Sequence, residues 1–112
     1  MPSRYVPDRG EIVWLMFNPQ AGHEQAGRRP ALVLSPRSYN GRAGLALICP
    51  ITSQRKGYPF EVAVSGGRVS GVVLADQLRS LDWSARRAKK LARASDETLQ
   101  EVLGKIAALL QL

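Results

Sequence analysis

Apolar and polar positions fall into short punctuated blocks along most of this chain and change period only near its end. Gly10 to Phe17 (Gly-Glu-Ile-Val-Trp-Leu-Met-Phe) is rich in β-branched and aromatic residues and predicts a strand, stopped by Asn18-Pro19. Gln20 to Arg28 is polar, with Gly22 and Gly27 inside it, and predicts a loop long enough to suggest a functional role. Apolar runs at Ala31 to Leu34 and Leu45 to Ile51 predict two further strands, and Ser35 to Gly41 between them reads as a helical turn closed by glycine. Tyr58 to Ser65 (turned by Gly66-Gly67), Gly71 to Ala75 and Gln77 to Leu81 predict a fourth, fifth and sixth strand. The period then lengthens. Leu99, Val102, Leu103, Ile106, Leu109 and Leu110 recur every three or four residues and mark one apolar face of a helix. Ser95 caps its start, and Asp96 and Glu97 put negative charge in its first turn.

Short strands separated by glycine and proline predict a mainly β fold, a small antiparallel barrel or sandwich with a C-terminal amphipathic helix. At 112 residues the chain is expected to be one domain, 1–112. Composition adds a partner class. Sixteen Lys+Arg against nine Asp+Glu give a formal charge of +7 and a pI near 10.3, which favours a polyanion. Cys49 is the only cysteine, so an intrachain disulfide and zinc-ligand spacing are both absent. Its place in the apolar run Leu45 to Cys49 reads as a buried, inert thiol. No apolar stretch approaches the ~20 residues of a membrane span, and Met1 to Tyr5 lacks a signal-peptide core. A soluble, cytoplasmic protein is expected.

Candidate chemistry concentrates at the ends of two predicted strands. Glu24-Gln25-Ala26-Gly27-Arg28-Arg29-Pro30 leads into Ala31, placing a guanidinium where a rigid strand can aim it at a phosphate. Cys49-Pro50-Ile51-Thr52-Ser53 ends the third strand with two hydroxyls. Cleaving RNA by its own 2'-hydroxyl requires loss of that proton, charge stabilisation on the phosphorane and a proton for the leaving oxygen. Arg29 suits the second task and can pass a proton in a dry site; Thr52 suits a nonbridging oxygen. Glu24 either accepts the 2'-hydroxyl proton or holds Arg29, while His23 titrates near neutrality on the same loop. No carboxylate cluster presents itself for magnesium, so a nuclease built here is expected to need neither metal nor other cofactor.

Arg55-Lys56 extends a positive rim from Thr52-Ser53. A longer basic stripe (Arg79, Arg86, Arg87, Lys89, Lys90 and Arg93) lies near Trp83 and suits a single strand, though Arg86 to Lys90 reads equally as a solvated edge strand. Trp14 and Trp83 both read as core residues, Trp14 the more firmly.

Taken together, these residues resemble the MazF-type (Kid/PemK-like) endoribonuclease toxins of type II toxin–antitoxin systems. The matching pieces are Arg9 to Trp14, Phe17-Asn18-Pro19, Glu24 to Ser35, Tyr39-Asn40, Pro50 to Ser53, Lys56 to Phe60 and Gly71 to Gln77. They cover essentially the whole chain in order. The resemblance implies an SH3-like antiparallel barrel acting as a homodimer, and metal- and ribosome-independent cleavage of single-stranded RNA at a short motif. The products would carry 2',3'-cyclic phosphate and 5'-hydroxyl ends. It puts the family's catalytic pair on Arg29 and Thr52 and its loop glutamate on Glu24. Asn40, Lys56 and Gln77 become expected RNA contacts, joined by Ser53 and Arg55 of the rim, while Met16 and Arg28 fall where the sequence cut would be tuned. It further implies a MazE-like antitoxin, acidic at its C-terminus, with operator DNA bound only in that complex. The alternative on the same architecture is a non-catalytic, CcdB-like toxin that binds gyrase through its C-terminal face.

Overall fold

The computed structural model describes residues 5–17, 27–64 and 68–112. Among them the chain forms seven strands and two helices. In chain order these are β1 (Glu11–Met16), β2 (Arg28–Val33), α1 (Arg37–Ala43), β3 (Ala46–Thr52), β4 (Glu61–Val64), β5 (Gly71–Leu74), β6 (Arg79–Leu81), β7 (Lys89–Arg93) and α2 (Asp96–Leu110). The strands pair antiparallel in the order β4-β5-β3-β2-β1-β7, with β6 on β3, and curl into a half-barrel. This is the mainly β fold with a C-terminal helix that the sequence predicts.

Side-chain alternation divides the interior in two. Ile12 of β1, Leu32 of β2 and Cys49 and Ile51 of β3 point to one side and join Val62, Val73 and Val102. Val13, Leu15, Ala31, Val33, Ala46 and Ile48 point to the other. The first cluster is covered by α2, whose Leu99 and Val102 are buried and whose Leu103 and Ile106 pack against it. The second is covered by Tyr5, Phe17, Leu81, Trp83 and Ala88. Ser95 caps α2 as expected, its hydroxyl accepting from the Thr98 N–H at 3.1 Å. Leu109 and Leu110, at the end of the apolar helical face, are exposed.

Several boundaries differ from the pattern, among them β6, which starts at Arg79 rather than Gln77. β2 begins at Arg28 rather than Ala31, because Met16, Leu15 and Trp14 pair with Arg28, Arg29 and Pro30. The strand expected from Tyr58 starts at Glu61, and the Gly66-Gly67 turn lies outside the described residues. α1 runs past Gly41 and ends at Gly44, which adopts φ +72°. β7 contains Lys89 and Lys90 but extends to Arg93, past the edge run that the charges suggested, and carries a bulge opposite Ile12/Val13. A bulge breaks the period-two signal that would have revealed it.

Candidate nucleic-acid interface

Antiparallel register brings the two sequence candidates together. β2 and β3 pair as Ala31↔Pro50, Leu32↔Cys49 and Val33↔Ile48, so paired numbers sum to 81. Arg29 and Thr52 also sum to 81, which sets them opposite one another on the face that carries Ala31. Ladder pairing stops before reaching them. Neither Pro30 nor Pro50 has an N–H to contribute, and a groove opens at the strand ends, lined by Arg29, Pro30, Ile51, Thr52 and Ser53.

Thr52 is fixed from its other side. It pairs with Val72 of β5, and the preceding Gly71, at φ +131°, lies against its carbonyl group. A Cβ at position 71 would collide with the Thr52 carbonyl oxygen, so glycine is required there. The Thr52 Oγ1 accepts the Gln54 N–H at 3.2 Å, and no acceptor engages its hydroxyl proton among the described residues. Arg29 is exposed and makes no side-chain hydrogen bond or ion pair among the described residues. It also shares a depression with Phe17, Thr52, Gln77 and Arg79, where the Arg79 guanidinium stands 5.6 Å from the centre of the Phe17 ring. Beyond Thr52 lies a pocket of about 220 Å³ lined by Lys56, Tyr58, Phe60, Asp76 and Gln77. Thr52 borders all three hollows.

The remaining candidates divide. Lys56 and Gln77 line the third pocket, Ser53 lines the first groove, and Arg55 is exposed on the same loop. Glu24 and His23 lie outside the described residues. Arg28, one residue from Arg29 in a strand, faces the opposite side and places its guanidinium 4.7 Å from the centre of the Trp14 ring. Trp14 is accordingly half-buried rather than a core residue.

Asn40 is held inside the fold. It is buried, its Nδ2 donates to the carbonyls of Pro7 (2.8 Å) and Ser35 (2.9 Å), and its Oδ1 accepts from the Ser35 hydroxyl. An amide so engaged ties the N-terminal segment to α1 and has no edge left for a base. Trp83 Nε1 donates to the Asn40 carbonyl at 2.9 Å, so this tryptophan clamps the same corner. Sequence reasoning did not single out Phe17, Tyr58, Phe60 or Asp76 as site residues and put Arg79 only in the basic stripe; the fold brings them to Thr52.

Two buried groups stand outside this chemistry. Cys49 is buried, and desolvation, with the negative charge of Asp76, pushes its thiol up to about 12, as an inert thiol requires. Glu11 is buried beneath Arg37 (3.5 Å), Lys90 (3.5 Å) and Arg93 (3.8 Å) and accepts from the Tyr5 hydroxyl and the Asp8 N–H. Burial, then that hydrogen bond, raises the Tyr5 pKa above the ordinary phenol value. Glu11 sits four residues along β1 from the Leu15↔Arg29 pair, about 13 Å away at strand rise.

Comparison with known proteins places this geometry in context. Residues 8–110 match the family described as PemK-like, MazF-like toxin of type II toxin–antitoxin systems. The chain is 52% identical over 110 residues to the endoribonuclease toxin MazF of Escherichia coli K12, covering 98% of this chain and 99% of that protein. It is 40% identical over 110 residues to the endoribonuclease toxin ChpB of the same organism, covering 93% and 94%. Among solved structures, MazF of Deinococcus radiodurans superposes with a TM-score of 0.88 at 62% identity, covering 97% of this chain and all (100%) of that one. A MazE–MazF complex from that organism gives 0.88 at 55% identity, covering 97% and 99%.

Proposed function

Because the chain belongs to the PemK-like, MazF-like toxin family and is an endoribonuclease toxin of a toxin–antitoxin system, we propose that its groove cuts single-stranded RNA at a short motif by internal transesterification, without metal or ribosome. The observation that carries this is that Arg29 and Thr52 line one groove where the β2–β3 ladder ends. There a guanidinium cation and the Thr52 hydroxyl line one cavity.

In this reading the scissile phosphate lies between Arg29 and Thr52. The 2'-oxygen attacks phosphorus, the P–O5' bond breaks, and the products end in a 2',3'-cyclic phosphate and a 5'-hydroxyl. Arg29 balances the charge gained by the nonbridging oxygens, and Thr52 donates a hydrogen bond to one of them. Glu24 takes the 2'-hydroxyl proton, and Arg29 delivers a proton to the departing 5'-oxygen. Lys56, Ser53 and Arg55 supply phosphate contacts on one side of Thr52, while Gln77 and the pocket beside it take a neighbouring base. The protein acts in the cytoplasm as a homodimer of formal charge 2 × (+7) = +14, restrained by an acidic MazE-like antitoxin, with operator DNA bound only through that complex. The non-catalytic gyrase-binding alternative has no support in these relatives, which are named endoribonucleases.

The test is cleavage of a long single-stranded RNA in EDTA with every new 5' end mapped. Discrete cuts sharing a short motif and bearing 5'-hydroxyls are expected. Loss of cleavage on chelation, restored by magnesium, would overturn the metal-free scheme.

A further inference from the structure

We propose that Glu61 is a positioning residue for RNA binding: its carboxylate fixes the Lys56–Gly57 backbone and so aims Lys56 and Tyr58 at the groove beside Thr52. The proposal rests on the reading of that groove as the RNA site. Between β3 and β4 the chain has no regular structure, so its backbone donors need other partners. Glu61 supplies them. Its Oε2 accepts the Lys56 N–H and its Oε1 the Gly57 N–H, both at 3.0 Å. Two adjacent N–H groups forked onto one carboxylate fix the orientation of that segment by charge-assisted bonds. Gly57, at φ +79°, permits the turn that brings both onto the same acid.

Glu61 is itself held in place. Its own N–H donates to the Tyr58 carbonyl at 3.1 Å, and it pairs with Leu74 in β5. Two residues earlier in β5, Val72 pairs with Thr52. One short ladder therefore connects the clasp to the catalytic hydroxyl. From the other side, Lys105 of α2 donates to the Pro59 carbonyl at 2.6 Å.

The acid also engages a lysine in an unusual way. Among the described residues Glu61 makes no ion pair with the Lys56 ammonium; it holds that residue's backbone instead. The ammonium charge is kept for an incoming phosphate while the chain beneath it is immobilised. Tyr58, 60% exposed, is an aromatic surface on the same fixed loop, suited to stacking a base.

The experiment compares the parent with Glu61→Gln, Glu61→Ala, Lys56→Ala and the Glu61→Ala/Lys56→Ala double variant. The binding probe is a single-stranded RNA spanning the mapped cut, blocked there by a 2'-O-methyl group and titrated at several salt concentrations. The same RNA without the block gives KM and kcat. Glu61→Ala is expected to raise Kd and KM about tenfold, the equivalent of one charge-assisted hydrogen bond, with kcat within about twofold. Its salt slope should shrink by about 0.7, as in Lys56→Ala. Glu61→Gln, which keeps one acceptor, should fall between it and the parent. The double variant should lose less than the sum of the two single losses, because both changes act in part through the Lys56 contact.

Parent-like Kd in folded Glu61→Ala, additive losses in the double variant, or a fall in kcat at constant KM would each overturn the proposal. Should Glu61→Ala melt below the assay temperature, Glu61→Gln decides by the same criteria. A parent that binds the blocked RNA but does not cut the open one would sink the nuclease reading, while the Kd series still judges Glu61.

Discussion

Arg28 and Arg29 are chemically identical neighbours with different surroundings, and strand parity alone separates them. Arg29 shares its face with Thr52; Arg28 lies against Trp14 on the other. Arg29→Ala is therefore expected to lower cleavage about 10²–10³-fold with an unchanged melting temperature, as for loss of one preorganised donor to a transition state. Arg28→Ala should cost far less, because its side chain lies on the opposite face, against Trp14. Equal effects in a side-by-side cleavage assay would remove the distinction. The sequence announced a basic pair but not its parity, which depends on where β2 begins. Asn40 was illegible for a related reason. Its burial exists only once Pro7, Ser35 and Trp83 meet around it. Cys49, by contrast, was legible from its apolar neighbours. Its thiol is held near 12 in the fold against about 9 for an ordinary one, so the unfolded chain releases that proton first. Stability from this group is present below pH 9 and declines as pH rises from 9 towards 12. Alkylation by iodoacetamide at pH 8 should accordingly proceed only with unfolding, and rapid labelling of the native protein would contradict the burial.

Among the elements, β5 does the most for the site while contributing little to it directly. Gly71 lets β5 lie against the Thr52 carbonyl, and Val72 pairs with Thr52. Gly71→Ala adds a methyl group into that contact at a φ that L residues rarely adopt. A loss of about 1–3 kcal/mol in stability is expected from overpacking, together with slower cleavage at saturating RNA as Thr52 shifts. A variant that melted lower yet cut at the parental rate would show that Thr52 does not depend on this support. Most elements could be read from the sequence, because β1 and β3 are apolar runs bounded by turn residues and α2 carries a clear helical stripe. β7 was obscured by its Lys-Lys start and its bulge, and the start of β2 by Arg-Arg-Pro, whose local preference is overridden by pairing with β1. The aromatic pocket was hidden because its walls come from the β3–β4 loop and the segment after β5.

For the molecule as a whole, an excess of seven positive charges sets how binding responds to salt. Four cations stand around the three hollows or on the adjoining loop: Arg29, Arg55, Lys56 and Arg79. At about 0.7 per phosphate on a single strand, log K for RNA should fall against log salt with a slope near about −3. A flat response would place the RNA path elsewhere. The register that aligns Arg29 with Thr52 has one more consequence, for how such a protein can diversify. Arg29 is located by counting back from Ala31↔Pro50, not by the length of chain that precedes it. Changes in the length of segment 18–26 that keep Glu24 can therefore accumulate while the cation stays in register. A single-residue deletion between Arg29 and Ala31 has the opposite result: it leaves the loop untouched and rotates the charge to the wrong side of the sheet.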